Sequence, residues 1–182
     1  MKDVNLSDIN VLISESDINE RVKQIANILN SDYNGEEVCA ICVLKGSVMF
    51  FTDLVRNLNM PLTMEFIRLS SYGHSTSSSG MVNAVDIKLP DLTGKNVLIV
   101  EDIVDTGITA KFLLDYIAMN FKTKSTKFVA LLDKKIARCA DVHPDYYCFE
   151  IDDKFVVGYG LDYDGHFRNL KFIGYADKSI LQ

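Results

Sequence analysis

The sequence predicts an α/β fold, a mostly parallel central sheet flanked by helices. Three observations predict it. Val97-Leu98-Ile99-Val100 is an unbroken apolar run of β-formers, as expected of a strand buried on both faces. Apolar residues then recur at Ala110, Leu113, Leu114, Ile117 and Phe121, which is one face of an amphipathic helix. Upstream, an apolar strand through Cys39 and Ile41, a helical pattern and a further strand at residues 62–69 make a βαβ unit.

The elements follow in order. Ser16 is a candidate N-cap for a first helix carrying Ile18, Val22, Ile25 and Leu29. Tyr33-Asn34-Gly35 is a turn signal before the strand through Cys39. Ser47 is placed to cap a second helix with Phe51, Leu54, Val55 and Leu58. Residues 70–80, from Ser70-Ser71-Tyr72-Gly73, are small, polar and glycine-rich, and read as a linker or as a lid. Residues 81–88 alternate weakly and pair as a return strand, and Leu92-Thr93-Gly94-Lys95 turns into the central run. Another buried strand at residues 127–132 ends at Asp133-Lys134-Lys135, and a short strand near Val156 leads into a glycine-rich bend.

Composition narrows the class. A chain of 182 residues, 48% hydrophobic and 24% charged, suits one domain with a substantial core. A net charge of −6 argues against nucleic acid as the main partner. No apolar run approaches the ~20 residues of a membrane span. The segment Met1-Lys2-Asp3-Val4-Asn5 lacks a signal-peptide core, so the expected location is the cytoplasm. Cys39-x-x-Cys42 has a metal or redox spacing, but on a strand these side chains point to opposite faces, and reduced buried thiols are expected.

The chemistry concentrates after the central run, at Glu101-Asp102-Ile103-Val104-Asp105-Thr106-Gly107-Ile108-Thr109. The pattern reads as strand, acidic loop, helix N-terminus. A helix N-terminus offers backbone N–H groups and a partial positive charge to a phosphate, and Thr106 and Thr109 add hydroxyls. Glu101 and Asp102 suit sugar hydroxyls and Mg²⁺, a hard cation that prefers oxygen. The same acids could merely complement the helix dipole. Lys45-Gly46 sits at the carboxyl end of a buried strand, where open α/β sheets bind ligands; a surface lysine beside a turn glycine is the plainer reading. Lys134 is either a ligand contact or a solvated strand end, and Phe155 is of a type usually found in cores.

Val-Glu-Asp-Ile-Val-Asp-Thr-Gly-Ile-Thr resembles the phosphoribosyl-pyrophosphate signature of the type I phosphoribosyltransferases, and its paired acids resemble the hypoxanthine-guanine phosphoribosyltransferases in particular. The resemblance runs in ordered blocks from Leu44 to about Tyr175, through Asp-Lys-Phe-Val-Val-Gly-Tyr-Gly-Leu-Asp-Tyr at residues 153–163. It implies that Lys45 and Gly46 bind pyrophosphate, with a Leu44–Lys45 peptide that can be cis, and that Arg168 reaches the same group. It implies that residues 101–109 hold the phosphoribosyl moiety, that Ser71 and Tyr72 close as a flexible lid, and that Lys134, Phe155, Val156 and Asp162 bind the purine. Mg²⁺ is implied as cofactor, near Glu101, Asp102 and Asp162. Some members carry a lysine where this chain has Ile108, so backbone N–H groups from Asp105 to Thr109 must carry the 5′-phosphate here.

The expectation is therefore a single domain over residues 1–182. Its core spans about residues 16–150, and its small hood is built from the N-terminal segment and about residues 151–182. The expected reaction moves 5-phosphoribosyl from phosphoribosyl pyrophosphate to N9 of hypoxanthine or guanine, giving a purine nucleotide and pyrophosphate, with Asp105 as general base. The resemblance implies a homo-oligomer, dimer or tetramer. A nucleic-acid-binding regulator with a retained phosphoribosyl site is the alternative class, disfavoured by the acidic charge; an enzyme for xanthine or adenine is the nearer one.

Overall fold

In the computed structural model, which describes residues 5–71 and 82–176, the apolar run becomes the strand β5, Asn96–Val104. It is longer than the run. The sequence places a loop at Glu101, but the strand continues because its backbone pairs with β6, Ser125–Asp133, from Asn96↔Ser125 to Val104↔Asp133. Ladder hydrogen bonds belong to the backbone, so a polar side chain does not end them. Glu101 and Asp102 are thus neighbours on a strand rather than in a loop.

The remaining strands are β2 (Val38–Leu44), β3 (Leu62–Ser71), β4 (Val82–Asp86) and β7 (Tyr146–Glu150). The sheet runs β4-β3-β2-β5-β6-β7, parallel throughout except for β4, which returns antiparallel along β3 at one edge. Three helices complete the core: α1 (Glu15–Tyr33), α2 (Val48–Val55) and α3 (Ile108–Asn120). Parallel pairing brings the carboxyl ends of β2, β5 and β6 to one end of the sheet. The loops after them must converge there.

Two apolar clusters cover the two faces. One joins Ile18, Val22, Ile25 and Leu29 of α1 to Phe51 and Leu54 of α2. The other joins Ala110, Leu113 and Ile117 of α3 to the opposite side. Cys42 belongs to the first and Cys39 to the second, as strand alternation requires. The cap of α1 is Ser14, not Ser16. Ser14 has extended backbone angles and its Oγ accepts the Asp17 N–H at 3.2 Å, whereas Ser16 already lies in the first turn. Ser47 precedes α2, but its hydroxyl turns back to donate to the Val43 carbonyl at 2.5 Å.

A second, antiparallel sheet has the order β1-β9-β8, with β1 (Asn10–Ile13), β8 (Val156–Val157) and β9 (Ile173–Tyr175). It draws on both ends of the chain and stands as the hood over the main sheet. Among the described residues no helix is long and apolar enough to cross a membrane.

Candidate active site

The turn after β2 begins with a cis peptide bond between Leu44 and Lys45. Lys45 is exposed and Gly46 is buried. Gly46 sits between two other site segments. A Cβ there would lie 1.6 Å from Asp102 Oδ2, and a Cβ on Gly160 would lie 1.9 Å from the Gly46 carbonyl oxygen. The hood therefore meets the β2 turn at backbone level, and the Asp102 side chain of β5 packs onto the same turn, contacts that leave no room for a Cβ at either glycine. Arg168 closes this cluster. It pairs with Asp162 at 2.6 Å and donates to the Gly160 carbonyl at 2.6 Å.

Adjacent residues on a strand point to opposite faces, and Glu101 and Asp102 do so. Asp102 faces the Gly46 turn. Glu101 is buried and lines a cavity with Asp105, Thr106, Gly107 and Thr109. Burial first, then the charge of Asp102, pushes the Glu101 carboxyl up to about 8. Burial likewise raises Asp102 to about 6, against the lowering by the Ile103 N–H and Arg168. Gly107 adopts φ +80°, left-handed backbone, and precedes α3, so the helix N-terminus opens at this cavity. Ile108 is not among the cavity's lining residues.

The third cluster lies at the end of β6. Lys134 is nearly buried and donates to Asp153 at 2.9 Å, with Asp105 Oδ2 at 3.7 Å. Burial works against its charge, but Asp153 and Asp105 together hold its pKa above the ordinary value. The other oxygen of Asp105, Oδ1, is buried without a hydrogen-bond partner among the described residues. Phe155 is not core: it is 42% exposed, edge-on to Tyr163 with ring centroids 5.8 Å apart. Val156 is buried in β8 beside it.

Similarity to known proteins gives this geometry a family. The phosphoribosyl transferase domain family matches residues 14–164. The hypoxanthine-guanine phosphoribosyltransferase of Bacillus subtilis (strain 168) is 42% identical over 172 residues, 94% of this chain and 95% of that protein. This chain belongs to the phosphoribosyltransferase family. Solved phosphoribosyltransferases share its shape. A hypoxanthine phosphoribosyltransferase from Staphylococcus aureus superposes with a TM-score of 0.91 at 37% identity, covering 97% of this chain and 96% of that one. A hypoxanthine-guanine phosphoribosyltransferase from Bacillus anthracis gives 0.87 at 43% identity, covering 92% and 98%.

The structure of this phosphoribosyltransferase thus gathers Glu101, Asp105, Thr106, Gly107 and Thr109 round one cavity, Gly46, Asp102, Asp162 and Arg168 in a second group, and Lys134 beside Asp105. Of the lid pair, Ser71 ends β3, and Tyr72 lies outside the described residues. Two contributors went unread in the sequence. Asp153 stands in a polar stretch like many others, and its role shows only through Lys134. Arg138 follows a 3₁₀ turn at Lys135–Ala137 and is buried against Asp133; nothing local marks it.

Proposed function

We propose that this phosphoribosyltransferase transfers 5-phosphoribosyl from phosphoribosyl pyrophosphate to N9 of hypoxanthine or guanine, in purine salvage. The observation that carries the base choice is Lys134, a fixed ammonium at the end of β6 beside Asp105. An ammonium donates and cannot accept, so it suits a 6-oxo group and opposes the amino group of adenine. The exposed ring of Phe155 supplies a stacking surface, and the named relatives act in the same class.

Each cluster then has a task. Lys45, Gly46 and Arg168 hold the pyrophosphate, and residues Asp105 to Thr109 hold the 5′-phosphate at the start of α3. The N9–C1′ bond forms as the C1′–O bond to pyrophosphate breaks, and the carboxylates facing the sugar stabilise the positive charge that builds there. Asp105 takes the proton that the purine loses, near N7. Its unpartnered Oδ1 is an acceptor available for that proton, and the Lys134 ammonium lies 3.7 Å from its other oxygen.

The residues present also fit Mg²⁺. Asp102 and Asp162 offer hard oxygen donors, and a cation would relieve the burial cost that raises Asp102. Mg²⁺ is commonly held by one or two carboxylates together with substrate oxygens and waters, a role these two side chains suit. When bound, Mg²⁺ supplies charge neutralisation for the leaving pyrophosphate.

The test is nucleotide formation from phosphoribosyl pyrophosphate with hypoxanthine, guanine, xanthine and adenine, for wild type and Lys134→Ala. Wild type should use hypoxanthine and guanine and discriminate against adenine by up to about 10⁴-fold. Lys134→Ala should lose 6-oxopurine turnover while keeping its affinity for the sugar phosphate. Efficient use of adenine, or unchanged kinetics in the variant, would remove Lys134 from base recognition.

A further inference from the structure

The loop from Val104 to Gly107 is held from behind, and the hold is unusually complete. Arg138 Nε donates to the Asp105 carbonyl at 3.0 Å, and its Nη2 donates to the Val104 carbonyl at 3.0 Å. Its Nη1 donates to the Val142 carbonyl at 2.6 Å, and Nη2 also pairs with the buried carboxylate of Asp133. The next carbonyl, Thr106, accepts from the N–H groups of Cys139 and Ala140 at 3.0 and 3.1 Å. Arg138 and Val142 also press on the loop's rear surface. A Cβ on Gly107 would meet Val142 Cγ1 at 2.7 Å and Arg138 Cδ at 2.8 Å.

The consequence follows from peptide geometry. In a trans peptide the C=O and the following N–H point in opposite directions. Fixing the carbonyls of Val104, Asp105 and Thr106 toward Arg138 and its loop therefore turns the N–H groups of Asp105, Thr106 and Gly107 the other way. That is away from Arg138, on the side of the cavity lined by Asp105, Thr106 and Thr109. Successive backbone N–H groups aimed into one concavity form an anion nest. With Ile108 offering no side-chain cation at that position, such a nest is what this loop presents to a phosphate.

We propose that Arg138 is the positioning residue of the phosphate nest: it touches no substrate, and acts by orienting three consecutive peptide groups toward the 5′-phosphate. Its planar fork matters more than its charge, which Asp133 already balances. A lysine has no such fork and cannot satisfy acceptors spread around a plane. The proposal rests on the phosphoribosyl transfer described above and adds a residue to it.

The test is calorimetric binding of phosphoribosyl pyrophosphate and, separately, of inorganic pyrophosphate, both with Mg²⁺, to wild type, Arg138→Lys and Arg138→Ala. Pyrophosphate alone needs the Gly46 turn and not the nest. Both variants should bind phosphoribosyl pyrophosphate roughly 10–100-fold more weakly, the size of loss a small misplacement causes. Their affinity for pyrophosphate should stay within about twofold, as for sites that do not share partners. Steady-state kinetics should show the same split, a raised KM for phosphoribosyl pyrophosphate with a smaller change in kcat. Equal weakening of both ligands would mean that Arg138 only supports the fold. Undiminished binding of phosphoribosyl pyrophosphate, or full recovery in Arg138→Lys, would also overturn the proposal. Arg138→Lys keeps the buried charge and carries the test by itself if Arg138→Ala does not fold. A wild type that binds phosphoribosyl pyrophosphate but makes no purine nucleotide would instead count against the transferase reading, and leaves the binding comparison intact.

Discussion

The two oxygens of Asp105 stand in different surroundings. Oδ2 faces Lys134 at 3.7 Å, and Oδ1 is buried with no partner among the described residues. A buried acceptor left unpaired is costly unless a ligand completes it. In the proposed reaction, replacing Asp105 by Asn removes the proton acceptor and leaves the main-chain carbonyl of residue 105, which Arg138 holds, in place. Turnover of Asp105→Asn should fall about 10²–10⁴-fold, the usual contribution of a general base, with little change in phosphoribosyl pyrophosphate affinity. Single-turnover kinetics separate the two; a variant that keeps wild-type chemistry would move the base elsewhere. The cysteines make a second residue-scale case. Cys139 is exposed, whereas Cys39, Cys42 and Cys148 are buried. Burial pushes the Cys148 thiol up to about 12, despite the opposing charge of Arg21, and also raises Cys39 and Cys42. Since the thiolate is the reactive form, native protein near neutral pH should titrate one fast thiol per chain. Denatured protein should titrate all four. Fast reaction of two or more native thiols would show that the sheet opens more readily than its burial implies.

Among the elements, the telling contact is between the hood bend and the β2 turn. Gly160 has φ +103° and its Cα faces the Gly46 carbonyl; Gly165, in the same segment, has φ +82° and open space around it. The pair separates two costs that a glycine substitution mixes. Gly165→Ala meets only the backbone penalty, while Gly160→Ala must also push the hood off the β2 turn. Gly165→Ala should lower Tm by about 2–12 °C, from roughly 1–3 kcal/mol of backbone strain. Gly160→Ala should lower it further and raise the KM for pyrophosphate in the reverse reaction. Thermal melts and reverse-direction kinetics on both variants check this. Equal Tm losses with unchanged pyrophosphate kinetics would show that the two segments move apart without consequence. Tyr159, beside Gly160, makes the same junction through its side chain, donating to Asp53 of α2 at 2.7 Å.

At the scale of the molecule, much was legible because the determinants are local. The Val97–Val100 run, the period of α3 and the strand through Cys39 each declare themselves within ten or so residues, and the parallel sheet follows from their alternation. The acidic stretch stands out for the same reason, since three carboxylates, two threonines and a glycine fall within nine consecutive residues. What escaped depends on partners far along the chain. The continuation of β5 through Glu101 is decided by pairing with β6, and Arg138 matters through carbonyls some thirty residues away. The cap at Ser14 rather than Ser16 turned on backbone angles that two nearby serines do not announce. The hood is a case where long-range packing has a measurable consequence. Ile13 beside β9 and Val156, Tyr159, Leu161 and Ile173 of the hood belong to one continuous apolar cluster with Ile18 and Val22 of α1, Phe50 and Leu54 of α2 and Val100 of β5. Unfolding the hood alone would expose the sheet's own core, so the hood has no separate hydrophobic interior to melt. We therefore expect one cooperative transition for the whole chain, with calorimetric and van't Hoff enthalpies equal and intrinsic fluorescence and far-UV dichroism coincident. Phosphoribosyl pyrophosphate with Mg²⁺ at about 100 times Kd should add about 2.7 kcal/mol and shift that single transition upward as a unit. Two resolved transitions, or a ligand shift confined to one of them, would show that the hood and the sheet are separate folding units despite the cluster they share.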